Sequence, residues 1–163
     1  MPAQTQSRRS VLTLLAAGAA LPFFAGYGGR AQAAAFRVSL SDAEWRKRLT
    51  PAQYAVLRQE DTERAFSSPL NNEHREGTFL CAGCNNDLYS SKTKFESGTG
   101  WPSFYQPLPG AIGTSVDHKL GYARTAVHCA DCGGHLGHVF RDGPKPTGLR
   151  YCMNGLSLKF RPA

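Results

Sequence analysis

The sequence predicts a mainly β domain in which short helices precede an antiparallel β core. Two helix-start signatures stand close together between residues 41 and 51, and from Gly77 onward the chain breaks into short, partly alternating apolar segments. Glycine, proline, asparagine and aspartate separate these segments, as is typical of strands joined by tight turns. The length of 163 residues allows one domain and a separate N-terminal segment.

The first 35 residues have the pattern of an export signal. Arg8 and Arg9 precede a short apolar run, and Ala31-Gln32-Ala33 provides a small-residue cleavage site. Paired arginines before such a run resemble a twin-arginine signal, which sends folded proteins across a bacterial inner membrane. We therefore expect cleavage after Ala33 or Ala35.

This interpretation divides the chain into a signal peptide at residues 1–35 and a periplasmic domain at residues 36–163. A membrane anchor that is retained and faces the periplasm is the alternative. Pro22 and Gly26 favour cleavage, because they interrupt an apolar run that is already short for a membrane span.

Two adjacent stretches carry the signature of a helix N-terminus. Ser41 is followed three residues later by Glu44, the capping-box arrangement, and this predicts a short helix to about Leu49. Thr50-Pro51 repeats the signature, because threonine caps helices well and proline is accepted at the first helical position. A second helix is predicted from there to about Gln59.

Short strands are predicted downstream of the helices. The candidate segments are Thr78–Cys81, Phe104–Tyr105, Leu120–Val127, His138–Phe140, Arg150–Tyr151 and Leu156–Phe160. The stretch from Val116 to Cys129 is compatible with one long strand or with two. We find no internal repeat.

The charge balance gives little support for a nucleic-acid-binding protein. The formal net charge is +7, but Arg8, Arg9 and Arg30 lie in the expected signal peptide, which leaves 16 basic against 12 acidic residues in the rest of the chain. These basic residues are scattered, whereas a nucleic-acid footprint needs them clustered on one face. We expect no nucleic-acid partner and a monomeric protein.

Four of the five cysteines form two CxxC pairs, Cys81 with Cys84 and Cys129 with Cys132. Each short turn presents two thiolates to one ion, and four thiolates fill a tetrahedral site completely. The sequence therefore predicts one structural zinc ion per chain and no organic cofactor. Two disulfides, or one redox-active pair, are the alternatives in an oxidising compartment. Twin-arginine export favours zinc, because folding and metal loading finish in the cytoplasm.

Cys152 has no cysteine three residues away, and it is the candidate reactive thiol. Arg150, Cys152 and Asn154 occupy alternate positions, so in a strand they would share one face. A guanidinium beside a thiol favours the nucleophilic thiolate. Upstream, His135 and His138 offer side chains that suit proton transfer near neutral pH.

Three motifs in this chain resemble those of the methionine-R-sulfoxide reductases, enzymes that reduce the R epimer of oxidised methionine. They are SGTGWPSF at 97–104, GGHLGHVFRDGP at 133–144 and PTGLRYCMN at 146–154. They stand in the family's order, and the resemblance extends from about Leu40 to Phe160. It implies two packed antiparallel sheets. A zinc-binding subset of the family carries both CxxC pairs at these positions.

The resemblance also implies catalytic roles. The thiolate of Cys152, stabilised by Arg150, attacks the sulfoxide sulfur. His135 and His138 donate to the sulfoxide oxygen, directly or through water. Asn154 orients water or substrate.

Three further residues are implied in substrate binding. Trp101 provides a flat apolar wall for the methyl group of the substrate, and Phe140 assists it. Asp142 fixes a histidine or the backbone. The expected substrates are oxidised proteins or methionine sulfoxide itself.

Thr99 stands where many members of the family have a second cysteine that closes a disulfide with the catalytic one. No other unpaired cysteine remains in the chain. After one turnover Cys152 is therefore expected to be a sulfenic acid. A thioredoxin-like protein or a small thiol is expected to reduce it. Smaller departures from the family pattern are Thr125-Ala126-Val127 and Gly155-Leu156.

Two other functions remain as alternatives. A zinc-stapled binding module without catalysis would need basic or stacking residues near its metal ligands, and residues 82–87 and 130–134 contain no basic residue. A cysteine hydrolase would use Cys152 and a histidine to attack an acyl group. Unlike a reductase, it would consume no reducing equivalents.

Overall fold

The computed structural model describes residues 36–163, and the predicted signal peptide lies outside the described residues. Two α-helices come first: α1 (Asp42–Arg48) and α2 (Pro51–Gln59). The strands follow: β1 (Gly77–Cys81), β2 (Asp87–Ser90), β3 (Lys94–Phe95), β4 (Ser103–Phe104), β5 (Ile112–Asp117), β6 (Arg124–Cys129), β7 (His135–Phe140), β8 (Arg150–Met153) and β9 (Leu158–Pro162). No helix among the described residues is long and apolar enough to cross a membrane.

Both helices begin where the sequence predicted. The hydroxyl of Ser41 accepts from the backbone N–H of Glu44, and the Glu44 carboxylate accepts from the backbone N–H of Ser41 in return. Thr50 and Gln53 make the same reciprocal pair at the start of α2. Each arrangement satisfies backbone donors that a helix start would otherwise leave unpaired.

The strands form a three-stranded sheet in the order β2-β1-β9 and a six-stranded sheet in the order β3-β4-β8-β7-β6-β5. Every neighbouring pair is antiparallel. The predicted mainly β fold with two antiparallel sheets and short leading helices is confirmed.

The stretch from Val116 to Cys129 forms two strands, β5 and β6, joined by a turn. Gly121 has φ of 81°, a left-handed conformation that glycine adopts at little cost, and its N–H donates to the carbonyl of His118. The predicted strand from Leu120 therefore begins only at Arg124. Strand β2 was not predicted, because the Asn-Asn-Asp sequence at its start indicates a turn.

The two sheets pack against each other through aromatic side chains. The ring of Phe104 from the large sheet stacks on Tyr89 of the small sheet at 4.3 Å and meets Phe79 edge-on at 4.9 Å. Met153, also from the large sheet, is fully buried and accepts the hydroxyl of Tyr89 at its sulfur. One face of the large sheet thus belongs to the core, which leaves the opposite face for chemistry.

Candidate active site

Strand β8 places Cys152 in the middle of the large sheet. It pairs with Ser103 of β4 on one side and with His138 of β7 on the other. Residues that oppose each other on antiparallel strands point to the same face, so thiol, hydroxyl and imidazole form one row. Met153, the next residue, points into the core. Cys152 is thus held on a rigid strand and lies on the face away from the core.

A β-bulge in β7 brings the two predicted histidines to one face. In a regular strand His135 and His138, three residues apart, would point to opposite faces. The register of β7 against β6 skips Leu136, and the extra residue restores a common direction. The two rings meet edge to face with centroids 5.3 Å apart. Gly137 allows β8 to approach here, because a Cβ at this position would lie 2.1 Å from the carbonyl oxygen of Cys152.

A pocket of about 110 Å³ opens beside Cys152. Its wall consists of Thr62, Trp101, Arg124, Gly137, His138, Phe140, Cys152 and Asn154. Five of the eight residues that the sequence suggested for catalysis and substrate binding are in this wall. The other three, His135, Arg150 and Asp142, are outside it.

The Cys152 thiol differs from the sequence-based expectation. Burial raises the pKa of this thiol, and this effect exceeds those of Thr99 and Arg150, which act to lower it. The expectation of a resting thiolate beside Arg150 is therefore wrong for the substrate-free protein. A buried thiol loses more hydration on ionising than one nearby guanidinium returns.

Hydroxyl groups surround the sulfur of Cys152 on the side away from the histidines. Oγ1 of Thr99 is 3.8 Å from Sγ of Cys152. Oγ of Ser97 lies 2.8 Å from both Oγ1 of Thr99 and Oγ of Ser103. This chain of hydroxyls can turn a donor toward negative charge on the sulfur.

Arg150 is held by the residue that was expected to fix a histidine. Nε and Nη2 of Arg150 donate to the two carboxylate oxygens of Asp142 at 2.9 and 2.7 Å. The guanidinium also lies over the ring of Phe140, 4.5 Å from its centre. Asp142 therefore positions Arg150, a partner that the sequence did not suggest, and Arg150 acts on Cys152 chiefly by its charge.

The two histidines have different surroundings. Burial lowers the pKa of His135 to about 4, and the nearby His138 adds to this effect. At neutral pH His135 is an uncharged ring, so it can donate a hydrogen bond but cannot act as a general acid from the imidazolium form. Nε2 of His138 lies 2.7 Å from Oδ2 of Asp117. His138 thus has a carboxylate partner that the sequence did not reveal.

Asn154 is buried, and both ends of its side-chain amide are engaged by the backbone. Oδ1 accepts from the N–H of Glu63 at 3.0 Å, and Nδ2 donates to the carbonyl of Leu136 at 3.1 Å. The predicted role in orienting water or substrate has less support than a role in joining the end of β8 to its neighbours.

Glu63 joins several parts of the site, and sequence reasoning missed it. Its carboxylate accepts from the backbone N–H groups of Gly155 and Leu156 at 2.5 and 3.0 Å, and its carbonyl accepts from Nε1 of Trp101 at 3.1 Å. It thereby fixes the indole that lines the pocket. Asp117 and Arg124 were missed as well. All three come from parts of the chain without a motif, and only the fold brings them together.

The four cysteines of the two CxxC pairs form one cluster. Their sulfur atoms all lie within 4.8 Å of one another, with Cys81 and Cys132 at 3.7 Å and Cys84 and Cys129 at 3.5 Å. Hydrogen bonds from Cys132 and Cys81 lower the pKa of the Cys129 thiol. Four converging sulfur ligands are a donor set that fits a metal ion. We call this group the four-cysteine cluster.

Comparison with known proteins gives consistent matches. A family model described as the SelR domain matches residues 49–162. The chain is 54% identical over 127 residues to the peptide methionine sulfoxide reductase MsrB of Leptospira interrogans, which covers 77% of this chain and 97% of that protein. It is 53% identical over 127 residues to the MsrB protein of Agrobacterium fabrum, with 77% and 94% covered.

The similarity extends to plants. The chain is 52% identical over 122 residues to the chloroplastic peptide methionine sulfoxide reductase B1 of Arabidopsis thaliana, which covers 74% of this chain and 60% of that protein. The matched region contains the pocket, the row of Cys152 and His138, and the four-cysteine cluster. This chain belongs to the SelR-domain family of peptide methionine sulfoxide reductases.

Proposed function

We propose that the protein reduces the R epimer of methionine sulfoxide in oxidised proteins by direct attack of Cys152. One observation carries the proposal: Cys152 lies in a small pocket, with His138 directly opposite it on the next strand. Trp101 and Phe140 supply apolar wall surface that suits the methyl group of the substrate.

The proposed reaction transfers one oxygen atom between two sulfur atoms. As the Cys152 sulfur attacks the sulfoxide sulfur, the S–O bond of the substrate breaks and the oxygen ends on Cys152. The thiol proton leaves as the attack proceeds, and the oxygen takes up a proton through His138. The products are methionine and a sulfenic acid on Cys152, so the substrate gains the two electrons that the cysteine loses.

The raised pKa of the resting thiol makes its ionisation part of the reaction rather than a starting condition. The hydroxyl of Thr99 and the charge of Arg150 favour the thiolate once the proton has left. His135 is neutral near pH 7 and supplies a hydrogen-bond donor beside His138.

We propose an external reductant, a thioredoxin-like protein or a small thiol. Thr99 is the neighbour of the Cys152 sulfur, and it forms no disulfide. The other four cysteines converge on one another. Two thiol groups from outside would convert the sulfenic acid to the thiol and release one water molecule and a new disulfide.

We propose zinc as the ion of the four-cysteine cluster. Four sulfur ligands at the usual zinc–sulfur distance lie about 3.8 Å apart, close to the 3.5 and 3.7 Å separations in the cluster. Cys81, Cys84, Cys129 and Cys132 would hold the ion. Zinc there would stabilise the fold by joining two distant turns, with no position left for substrate.

A peptide-bound substrate fits the charges of the pocket better than the free amino acid. Arg124 is the one cation of the wall described above, and Asp117 neutralises it. The carboxylate of free methionine sulfoxide would find no unneutralised partner there.

Export by the twin-arginine pathway to the periplasm is a proposal that rests on Arg8 and Arg9. Retention of precursor in the cytoplasm after substitution of both by lysine would support it.

The test uses separated R and S epimers of a methionine sulfoxide peptide with dithiothreitol. We expect loss of the R epimer alone, with one dithiothreitol oxidised per methionine formed, whereas a hydrolase would oxidise none. Without reductant, the wild-type protein should form one methionine per chain and a dimedone adduct on Cys152. Equal loss of both epimers would overturn the stereochemical proposal.

Thr99→Cys is the matched variant for this test. Its new thiol would lie where a hydroxyl now sits 3.8 Å from Sγ of Cys152. After one turnover it should give an internal disulfide in place of the dimedone adduct. In the wild type, a disulfide between Cys152 and the four-cysteine cluster would contradict the external-reductant scheme.

A further inference from the structure

Asp117 lies between a histidine and an arginine of the active site. Its Oδ2 accepts from Nε2 of His138 at 2.7 Å and from Nη2 of Arg124 at 2.5 Å. Its Oδ1 accepts from the backbone N–H of Lys119 at 2.8 Å. These bonds hold the pKa of the Asp117 carboxyl well below its usual range. The group is thus an anion at neutral pH.

The sheet explains how Asp117 reaches a histidine two strands away. Strand order places β6 between Asp117 on β5 and His138 on β7. The β6 residue directly opposite His138 is Ala126. Its methyl group is short, so the carboxylate can pass over it and meet the imidazole. A long side chain at this position would occupy the same space.

Arg124 contacts both the anion and the pocket. It pairs with Asp117 across the β5–β6 hairpin and lines the pocket beside Cys152. Its Nε is buried and has no hydrogen-bond partner among the described residues. The guanidinium is therefore held by its ion pair with Asp117, and 17% of the side chain is exposed.

We propose that Asp117 and Arg124 are positioning residues that set how firmly His138 holds its proton. Asp117 favours the imidazolium form, because its negative charge lies 2.7 Å from Nε2 of the ring. Arg124 opposes this, because it draws on the same carboxylate oxygen and adds a positive charge nearby. The inference rests on the proposed role of His138 as the proton donor to the sulfoxide oxygen.

The charged and titratable groups around His138 come from four elements and one loop. His135 is on its own strand, Asp117 is on β5, Arg124 is on β6 and Cys152 is on β8. The ion pair of Glu60 with Lys119 lies between the end of α2 and the β5–β6 turn. Of these, only Asp117 bonds the imidazole directly, and only Arg124 shares that bonded oxygen.

The proposal predicts shifts of opposite sign in two variants. Asp117→Asn keeps an acceptor of the same shape but removes the negative charge, so protonated His138 is favoured less. Arg124→Gln removes the positive charge, so protonated His138 is favoured more. A purely structural role for the pair would move both variants in the same direction, towards lower stability and activity.

The experiment follows the imidazole signals of the full-length protein by NMR as pH is varied. In Asp117→Asn the His138 titration midpoint should move to lower pH by about one unit or more, and in Arg124→Gln it should move to higher pH. The basic limb of the single-turnover pH–rate profile should move in the same directions. Glu73→Gln and Arg75→Gln are the charge-matched controls, because these residues make the same type of ion pair away from the pocket.

The two readouts separate this inference from the proposed function. If the wild-type protein does not reduce the sulfoxide, the proposed function fails, while the NMR shifts still test the network. If it is active but the two variants shift His138 in the same direction, or no further than the controls, the inference is overturned. Should Asp117→Asn not fold, the upward shift in Arg124→Gln alone decides the question.

Discussion

The five cysteines occupy two regions with opposite surroundings. In the four-cysteine cluster, the closest sulfur pairs are 3.5 and 3.7 Å apart, and the side-chain amide of Asn86 donates to Cys129 at 3.5 Å. Cys152 instead has hydroxyl groups, an imidazole opposite it and an opening to a pocket. One region is built to share an ion, and the other to meet a substrate.

The difference teaches that a cysteine's chemistry is set by what the strand register places beside it. The cluster forms at the ends of β1 and β6. Each CxxC turn is closed by a backbone hydrogen bond to the carbonyl of its first cysteine: the N–H of Asn85 donates to Cys81, and the N–H of Gly133 donates to Cys129. Cys152 lies within a strand, where neighbours come from other strands. A turn gathers like residues that are close in sequence, whereas a sheet gathers unlike residues that are far apart.

The largest expected effects come from exchanging one cysteine in each region for serine. Cys152→Ser should lose reductase activity by more than about a thousandfold, because a neutral hydroxyl replaces the nucleophile. Its metal content and melting temperature should stay near the wild-type values. Cys84→Ser should lose bound metal and melt more than about 10 °C lower, since metal-binding free energy is also folding free energy.

Metal analysis, calorimetry and single-turnover assays on both variants measure metal content, melting temperature and activity, which should change in opposite patterns in the two variants. If Cys84→Ser kept its metal and its stability, the four-cysteine cluster would not be a metal site. Full metal loss in Cys152→Ser would show that the two regions are not separate.

A smaller effect, on stability in acid, should come from His135, which lies beside His138 and outside the four-cysteine cluster. The folded-state pKa of His135 is about 4, below its unfolded value near 6.5, so the unfolded chain binds the proton more readily. Stability is therefore complete above about pH 6.5 and falls as the pH drops toward 4, by about 3 kcal/mol from this group. Below the folded pKa no further loss comes from it.

His135→Asn has no proton to bind at this site and should lack that part of the slope. Urea unfolding of the wild type and the variant between pH 7 and 4 measures the difference. Release of the proposed metal ion in acid would be common to both proteins and would cancel in the comparison. Parallel stability curves for the two would contradict the burial of a neutral histidine.

The smallest effect concerns the hydroxyl beside the thiol. Thr99→Val removes a donor from the Cys152 sulfur and should raise the pKa of that thiol further. Single-turnover rates at neutral pH should fall by about two- to tenfold, the worth of one hydrogen bond. Thr147→Val, which loses a hydrogen bond to the carbonyl of Tyr105 on the surface, is the matched control. An unchanged rate would assign Thr99 no part in ionising Cys152.

Local patterns in the sequence predicted the helix starts and the convergence of the two CxxC pairs on one site. The contacts of Ser41 with Glu44 span three residues, and each CxxC pair is equally compact. The position of Cys152 beside His138 was reached through the motifs that carry the family resemblance. Motifs of this kind identify participants without giving their partners.

What the sequence could not predict depends on contacts between distant segments. Glu63 meets Asn154 and Gly155 across more than ninety residues, and no pattern near Glu63 marks it. Asp117 reaches His138 only because a short side chain stands on the strand between them. The direction of the Cys152 pKa shift also depends on burial, which is a property of the assembled fold.

The bulge at Leu136 determines whether the two histidines lie on the same face of the sheet. If Leu136 paired regularly with β6 and the bulge were lost, His135 and His138 would again lie three residues apart in a regular strand, and one of them would face the core. The turn between β5 and β6, by contrast, lies on the surface, where changes in length are absorbed more easily. A one-residue change in length should therefore be tolerated in that turn, whereas next to Leu136 it would alter the bulge itself. The spacing of three residues between His135 and His138 thus gives a common face only together with the bulge.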